Sequence, residues 1–148
     1  MTLSVIIPAY NERATIREVI ERVKKADSLG LKKEIIVVDD ASKDGTQEII
    51  QELREADSTV RAIFHERNLG VGAAWRDGIA ISTGDILLRQ DADTEYQPED
   101  FPLLLRPILE EKADIVYGSR ILGFDKSVYL YKMYLWGGFV VNWLINCF

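Results

Sequence analysis

Short apolar runs and stretches of three-to-four-residue apolar spacing alternate along this chain. Leu3–Pro8, Glu34–Asp39, Val60–Phe64, Asp85–Gln90 and Ile115–Ser119 are apolar runs bounded by polar or turn residues, and they predict strands. Between them, Glu12–Ala26 carries Ile16, Val19, Ile20 and Val23 at helical spacing, with Asn11 placed to cap its start. Asp44 to Gln47 has the pattern of a capping box opening a helix through Ala56, with Ile49, Ile50 and Leu53 facing inward. Gly70–Ser82 is a Gly/Ala-rich helix, and Pro98–Lys112 another, with Pro98 near its start. Strands that are apolar throughout must be covered on both faces. The alternation therefore predicts an α/β fold, a mostly parallel sheet with helices on both sides.

In such sheets ligands bind at the carboxyl ends of the strands. Those ends read Pro8-Ala9-Tyr10-Asn11-Glu12, Asp39-Asp40-Ala41-Ser42, Asp91-Ala92-Asp93 and Gly118-Ser119-Arg120. The residues capable of chemistry thus gather at one edge. The last stretch differs. From Val128 to Phe148 the only charge is Lys132, among Tyr129, Tyr131, Tyr134, Trp136, Phe139, Trp143 and Phe148. Its uncharged part is short for a span of about 20 residues, but it suits a membrane interface or a buried helix. The expected organisation is a nucleotide-binding domain over residues 1–124 and an aromatic-rich helical tail over 125–148, the start of an acceptor- or membrane-facing part.

Composition narrows the chemistry. The chain has 148 residues, 47% of them hydrophobic and 28% charged, which fits one globular domain. The net charge is −6, and no basic stripe marks a nucleic-acid binder. A phosphate site must therefore be built locally, from a cation or from backbone N–H groups. Cys147 and His65 are each the sole residue of their type, so zinc ligation by cysteine and histidine is excluded and no internal disulfide forms. The chain opens directly on a strand without the basic stretch of a signal peptide, and a cytoplasmic location is expected. His65 is expected at a strand end without a catalytic role, Trp75 in packing, and Lys24-Lys25 and Lys32-Lys33 on solvated surface.

Asp91, Asp93 and Glu95 raise the sharpest question. In an extended segment residues i and i+2 point the same way, so the three carboxylates are expected to aim at one point. A divalent cation with hard oxygen ligands, Mg²⁺ or Mn²⁺, resolves their repulsion and can carry a diphosphate. The plain alternative is a solvated acidic turn ahead of the helix near Pro98. Arg89 shares parity with Asp91 and either pairs with the carboxylates or points to the other edge.

Four segments in order resemble the family 2 glycosyltransferases of the GT-A fold. They are Ser4-Val5-Ile6-Ile7-Pro8-Ala9-Tyr10-Asn11-Glu12, Val37-Val38-Asp39-Asp40-Ala41-Ser42-Lys43-Asp44-Gly45-Thr46, Asn68-Leu69-Gly70-Val71-Gly72-Ala73-Ala74 and Asp91-Ala92-Asp93-Thr94-Glu95. Ala113-Asp114-Ile115-Val116-Tyr117-Gly118-Ser119-Arg120 is similar to the segment that follows in the family. Within it, the likeness is to polyprenyl-phosphate hexosyltransferases of the dolichyl-phosphate mannose synthase type, and it covers about residues 3 to 123.

The resemblance implies roles. Pro8 and Tyr10 flank the nucleotide base, Glu12 holds base or ribose, and Asp39 accepts a base N–H. Ala9, Asp40 and Gly70 complete the donor-binding set, although Asp40 has a second reading as the residue that holds the turn before Asp44. Asp91, Asp93 and Glu95 hold Mg²⁺ or Mn²⁺ under the diphosphate. Asp93 and Arg120 act on the reacting phosphates, where a forked guanidinium is well suited. The implied reaction moves a hexose, with inversion, from a UDP- or GDP-sugar to a lipid phosphate such as dolichyl or undecaprenyl phosphate. It would take place peripherally at the cytoplasmic face of a membrane.

There are departures. Glu95 stands where the mannose synthase type often has glutamine, and Thr94 where an apolar residue is usual. Family members also continue with acceptor-binding residues past this length, so the chain is expected to hold the donor half of a site. Rival readings compete on single motifs. A haloacid-dehalogenase-type phosphatase also places paired aspartates and a threonine after a strand, as Asp91-Ala92-Asp93-Thr94 does, but it needs a later lysine and acidic pair. A phospho-acceptor receiver needs a lysine after the fifth strand. A dinucleotide-binding domain needs its glycines after the first strand, where Pro8-Ala9-Tyr10-Asn11-Glu12 stands. A nucleotide-binding domain without turnover is the non-enzymatic alternative.

Overall fold

The computed structural model describes residues 1–118. Ser119, Arg120 and the aromatic tail lie outside the described residues, as does the expected domain boundary at residue 124.

The expected alternation is present: β1 (Thr2–Ala9), α1 (Ile16–Lys25), β2 (Lys32–Asp39), α2 (Thr46–Ala56), β3 (Val60–Phe64), α3 (Val71–Ile81) and β4 (Ile86–Arg89). A single 3-10 turn at Pro98–Asp100 then leads into α4 (Phe101–Leu109). The sheet has the order β3-β2-β1-β4, and every pairing is parallel. Leu3, Val5 and Ile7 point to one face with Ile35 and Val37. There they meet Val19 and Ile20 of α1, Ile50 of α2, and Phe101 and Leu105 of α4. Ile6, Ile36 and Val38 point to the other face, against Ala74 of α3, with Trp75 packed beside them. The period-two alternation of β1 and β2 thus buries both of their faces, which is why these strands are apolar throughout.

α3 can lie close to the sheet because it carries glycine where it crosses β1. A Cβ at Gly78 would stand 2.5 Å from Ile6 Cγ2 and 3.3 Å from Val38 Cγ2. Both neighbours are β-branched and have little rotamer freedom with which to yield.

Several expected boundaries moved, each for a tertiary reason. α1 starts after Thr15, not at Glu12. Asn11 sits in the left-handed region (φ 57°), and its Oδ1 accepts the Lys43 N–H at 2.9 Å instead of capping its own helix. The reciprocal capping box at α2 does not form. Asp44 Oδ1 takes the N–H of Thr46, and Gln47 turns away to donate to Asp39 Oδ2 at 2.6 Å. α4 stops at Leu109, short of Lys112, where Glu111 takes a left-handed φ of 55°.

The fifth strand expected at Ile115–Ser119 is absent over the described part. Residues 115–118 have no ladder partner, and Ile115 and Tyr117 are exposed. β-branched and aromatic residues favour a strand only when a neighbouring strand and a covered face are available. Lys33, expected on solvated surface, is half-buried. Its Nζ donates to the carbonyls of Val23, Lys24 and Ala26 (2.9, 2.6 and 2.6 Å) and so satisfies the exposed end of α1. Among the described residues no helix is long and apolar enough to cross a membrane.

Gly78→Ala is expected to lower stability by about 1–3 kcal/mol through overpacking. Urea denaturation of the two proteins measures it, and equal midpoints would mean that α3 does not seat on Ile6 as described.

Candidate functional site

The strand order locates the site. The chain builds outward from β1 to β2 to β3, then crosses α3 and returns to lay β4 on the other side of β1. The connections therefore diverge between β1 and β4, at the switch point where open α/β sheets bind ligands. Pro8 marks that place. It shares parity with Ile6, whose carbonyl accepts the last β4-side bond, from Gln90 N–H at 3.0 Å. A proline one step further sacrifices no ladder bond, because β4 has already turned away.

Three loops converge at this edge. The loop after β1 is laced to the loop after β2. Asn11 N–H donates to Ser42 Oγ (2.8 Å), Glu12 N–H to Thr46 Oγ1 (2.9 Å) and Arg13 N–H to Asp44 Oδ2 (3.1 Å). Tyr10 projects from this lacing, 47% exposed. Glu12 Oε2 accepts the Thr15 hydroxyl at 2.8 Å. Asn11 and Ala41, at the two strand ends, both hold left-handed φ angles (57° and 63°). For a residue such as alanine this costs roughly 1–2 kcal/mol, and such strain concentrates where function requires a shape.

Asp39 and Asp40 are adjacent in sequence and opposite in use. Asp39 is wholly buried, and its Oδ2 accepts Ser42 N–H (3.0 Å) and Gln47 Nε2–H (2.6 Å). Its Oδ1 is buried with no hydrogen-bond partner, the one such side-chain atom among the described residues. Burying an acceptor without a donor is unfavourable, so this oxygen calls for an N–H or O–H that the described residues do not supply.

Asp40 is saturated. Oδ1 accepts from His65 Nδ1 (2.7 Å) and Leu69 N–H (2.8 Å), and Oδ2 accepts Gly70 N–H (2.7 Å). Burial alone would raise the Asp40 carboxyl, but the bonds from His65, Leu69 and Gly70 outweigh it and hold its pKa below the ordinary carboxylate value. The group Asp40 holds is thus the loop into α3, not the turn before Asp44. Gly70 follows suit: its N–H serves Asp40, and its φ of 86° is open to glycine without strain. His65 does lie at a strand end, but its Nε2 reaches Asp77 Oδ2 of α3 at 3.1 Å, so the ring bridges two carboxylates.

The acidic segment follows β4. Ala92 is buried, while Asp91 and Asp93 on either side are partly exposed. Asp91 Oδ1 is held by Arg89 (Nε 2.9 Å, Nη2 2.8 Å), which settles the two readings of Arg89 in favour of pairing. Asp93 Oδ1 accepts the backbone N–H of Glu95 at 3.0 Å. The expected convergence of three carboxylates is not formed: among the described residues no three His, Cys, Asp or Glu side chains gather as a metal site. The parity argument assumed an extended chain, whereas β4 ends at Arg89 and the segment turns at Asp93. The donor set still fits a divalent cation. Asp91 and Asp93 are hard oxygen ligands flanking one buried residue, and Mg²⁺ typically takes one or two carboxylates, with water and phosphate filling the rest.

Two contributors escaped the sequence reading. Asp77 carries no motif, and only the fold brings it to His65. Gln90 was legible in principle, as a polar residue on the buried parity of Ile86 and Leu88.

Comparison with known proteins identifies the family. The sequence matches the family described as "Glycosyl transferase family 2" over residues 4–146. It is 38% identical over 143 residues to a dolichol-phosphate mannosyltransferase of Pyrococcus furiosus, covering 97% of this chain and 36% of that protein. It is 37% identical over 116 residues to an undecaprenyl-phosphate 4-deoxy-4-formamido-L-arabinose transferase of Pseudomonas syringae, covering 77% of this chain and 34% of that protein. The chain thus spans about a third of the length of these curated relatives. Among solved structures it resembles a mannosyltransferase of Pyrobaculum calidifontis in complex with GDP-Man and Mn²⁺. The TM-score is 0.58 at 28% identity, over 66% of this chain and 29% of that one. The fold is of the GT-A type that the sequence motifs implied.

Asp40→Ala is expected to destabilise the chain by about 3–5 kcal/mol, because it strands His65 and two backbone N–H groups. The Asp40 pKa is depressed on folding. Its contribution is therefore fully present above the ordinary carboxylate pKa and is lost as pH falls through the lower folded value. Urea melts from pH 7 to pH 2 should show an acid limb that is shallower in Asp40→Asn.

Proposed function

The chain belongs to glycosyl transferase family 2, and we propose that it forms the donor half of a metal-dependent inverting transferase moving a hexose from a UDP- or GDP-sugar to a polyprenyl phosphate. The observation that carries this is Asp39 Oδ1, a buried acceptor without a donor at the end of β2. Uracil N3–H and guanine N1–H are both donors of the required kind, so Asp39 serves either base. Pro8 and the half-exposed Tyr10 offer an apolar edge and an aromatic face for the base. Glu12, one oxygen of which is engaged by Thr15, keeps the other for the ribose.

Asp91 and Asp93 would hold Mg²⁺ or Mn²⁺, with Glu95 next to them in the same turn. When bound, the cation neutralises charge on the diphosphate. The sugar C1–oxygen bond to the diphosphate breaks, its electron pair stays on the diphosphate, and an acceptor phosphate oxygen bonds C1 from the opposite face. That phosphate is already largely anionic near neutral pH, so the chain needs no strong general base. Arg120, proposed to meet a phosphate, lies outside the described residues. The relatives' names speak of dolichol phosphate and undecaprenyl phosphate, which supports a lipid-borne acceptor and a site working at a membrane surface. We place that surface on the cytoplasmic side, where the nucleotide sugar is available. Family membership weighs against the phosphatase, receiver and dinucleotide-binding readings.

Calorimetric titration of UDP and GDP into the chain, with and without Mn²⁺, tests the proposal. Manganese-dependent binding of one nucleotide, weakened at least tenfold in Asp93→Asn, is expected on the scale of removing one metal ligand. A folded chain that binds neither nucleotide would sink it.

A further inference from the structure

The acidic segment is held in shape by a side chain that the reaction itself does not require. Alternation along β4 buries Ile86 and Leu88 and exposes Leu87 and Arg89, which brings the next residue, Gln90, back to the inside. Gln90 is 1% exposed. At a position that calls for an apolar residue, a buried amide is tolerated only when it is bonded. Gln90 Nε2 donates to the carbonyl of Asp91 at 3.1 Å and to the carbonyl of Tyr96 at 3.3 Å. These carbonyls stand at the two ends of the acidic segment. One buried amide therefore closes residues 91–96 into a loop from beneath.

The loop is fastened at its other points too. The N–H of Gln90 is anchored on Ile6 of β1, and Ala92 is sunk in the core. From outside, Arg22 of α1 forks onto Glu99, with Nε 3.2 Å from Oε1 and Nη2 2.7 Å from Oε2, and it also reaches Gln97 Oε1. A bidentate arginine fixes orientation as well as distance. Between these fastenings Asp91 is held by Arg89, and Asp93 Oδ1 accepts the N–H of Glu95.

We propose that Gln90 is a positioning residue for the divalent cation: its amide, assisted by Arg22, holds the loop that carries Asp91 and Asp93 in the shape that receives the ion. The inference rests on the donor-site reading above. Two carboxylates held in register bind a cation without first paying to order the loop, and partners of this kind typically contribute 10–100-fold in metal affinity.

The test is titration of Mn²⁺ into the full chain, alone and with UDP or GDP, followed by the electron paramagnetic resonance of free Mn²⁺. Gln90→Met keeps the length and volume of the side chain and removes both donors. It is expected to weaken Mn²⁺ about tenfold or more, and to speed hydrogen exchange at residues 92–95. A purely structural glutamine would lower the melting temperature and leave Mn²⁺ affinity within about twofold of the parent, which would overturn the inference. If Gln90→Met does not fold, Arg22→Met reads the same loop from the surface: weakened Mn²⁺ binding supports the inference and unchanged binding overturns it. A parent chain that binds no Mn²⁺ under any of these conditions overturns the donor-site reading itself, an outcome visible before any variant is made.

Discussion

The edge of the sheet proposed to carry the chemistry is organised around one buried carboxylate. Asp40 takes a backbone bond to Ala9 at the end of β1, gathers His65 from the end of β3, and receives the N–H groups of Leu69 and Gly70 where the chain turns into α3. Three successive strand ends and one helix start are thereby referred to a single residue, β1 through its backbone N–H and the others through its carboxylate. Its bonds favour the charged form strongly enough to overcome burial, which is why an ion can sit there. Because Asp40 is saturated, its neighbour Asp39 can be left with an unspent oxygen. The structural and the receptive roles are divided between consecutive residues on opposite sides of one strand.

The far end of the sheet has its own polar knot, with a different purpose. Glu34 accepts from Ser4 Oγ, from Thr83 N–H and from Arg61, while Gly84 N–H donates to Ser4 Oγ. This knot pins the turn between α3 and β4 against β1 and β2, and every atom in it finds its partner inside the chain. Left-handed non-glycine angles occur at both ends, at Asn11 and Ala41 on the site edge and at Leu29 in the turn before β2. What separates the two ends among the described residues is the unpaired buried acceptor, Asp39 Oδ1, which lies only at the site edge.

The strands were legible because burial on both faces demands continuous apolar runs, as in Val5-Ile6-Ile7 and Ile35-Ile36-Val37-Val38. The family was legible because its motifs sit at those strand ends. The starts of α1 and α2 were not, since local capping rules lost to long-range partners: Asn11 bonds Lys43, and Gln47 bonds Asp39. Ile115 to Gly118 has the composition of a strand, but pairing, not composition, makes one. The geometry of the acidic loop was hidden for a related reason. Alternation holds only while the chain is extended, and β4 is short. Gln90 could have been found by asking why a polar residue continues the buried parity of Ile86 and Leu88.

The place of β4 has a consequence for how the chain comes off the ribosome. β1 is made before β2, β3 and β4, yet its second neighbour is β4, with Leu3 paired to Ile86 and Ile6 to Arg89. Until that distant stretch emerges, one edge of the central strand presents open N–H and C=O groups, bordered by some of the most apolar residues in the chain. Contacts so far apart in sequence form slowly, because the intervening loop must close first. While β1, β2 and β3 are made and β4 is not, that flank of β1 has no partner in the sheet. The acidic loop, which hangs from β4, is among the last parts of the binding edge to take shape.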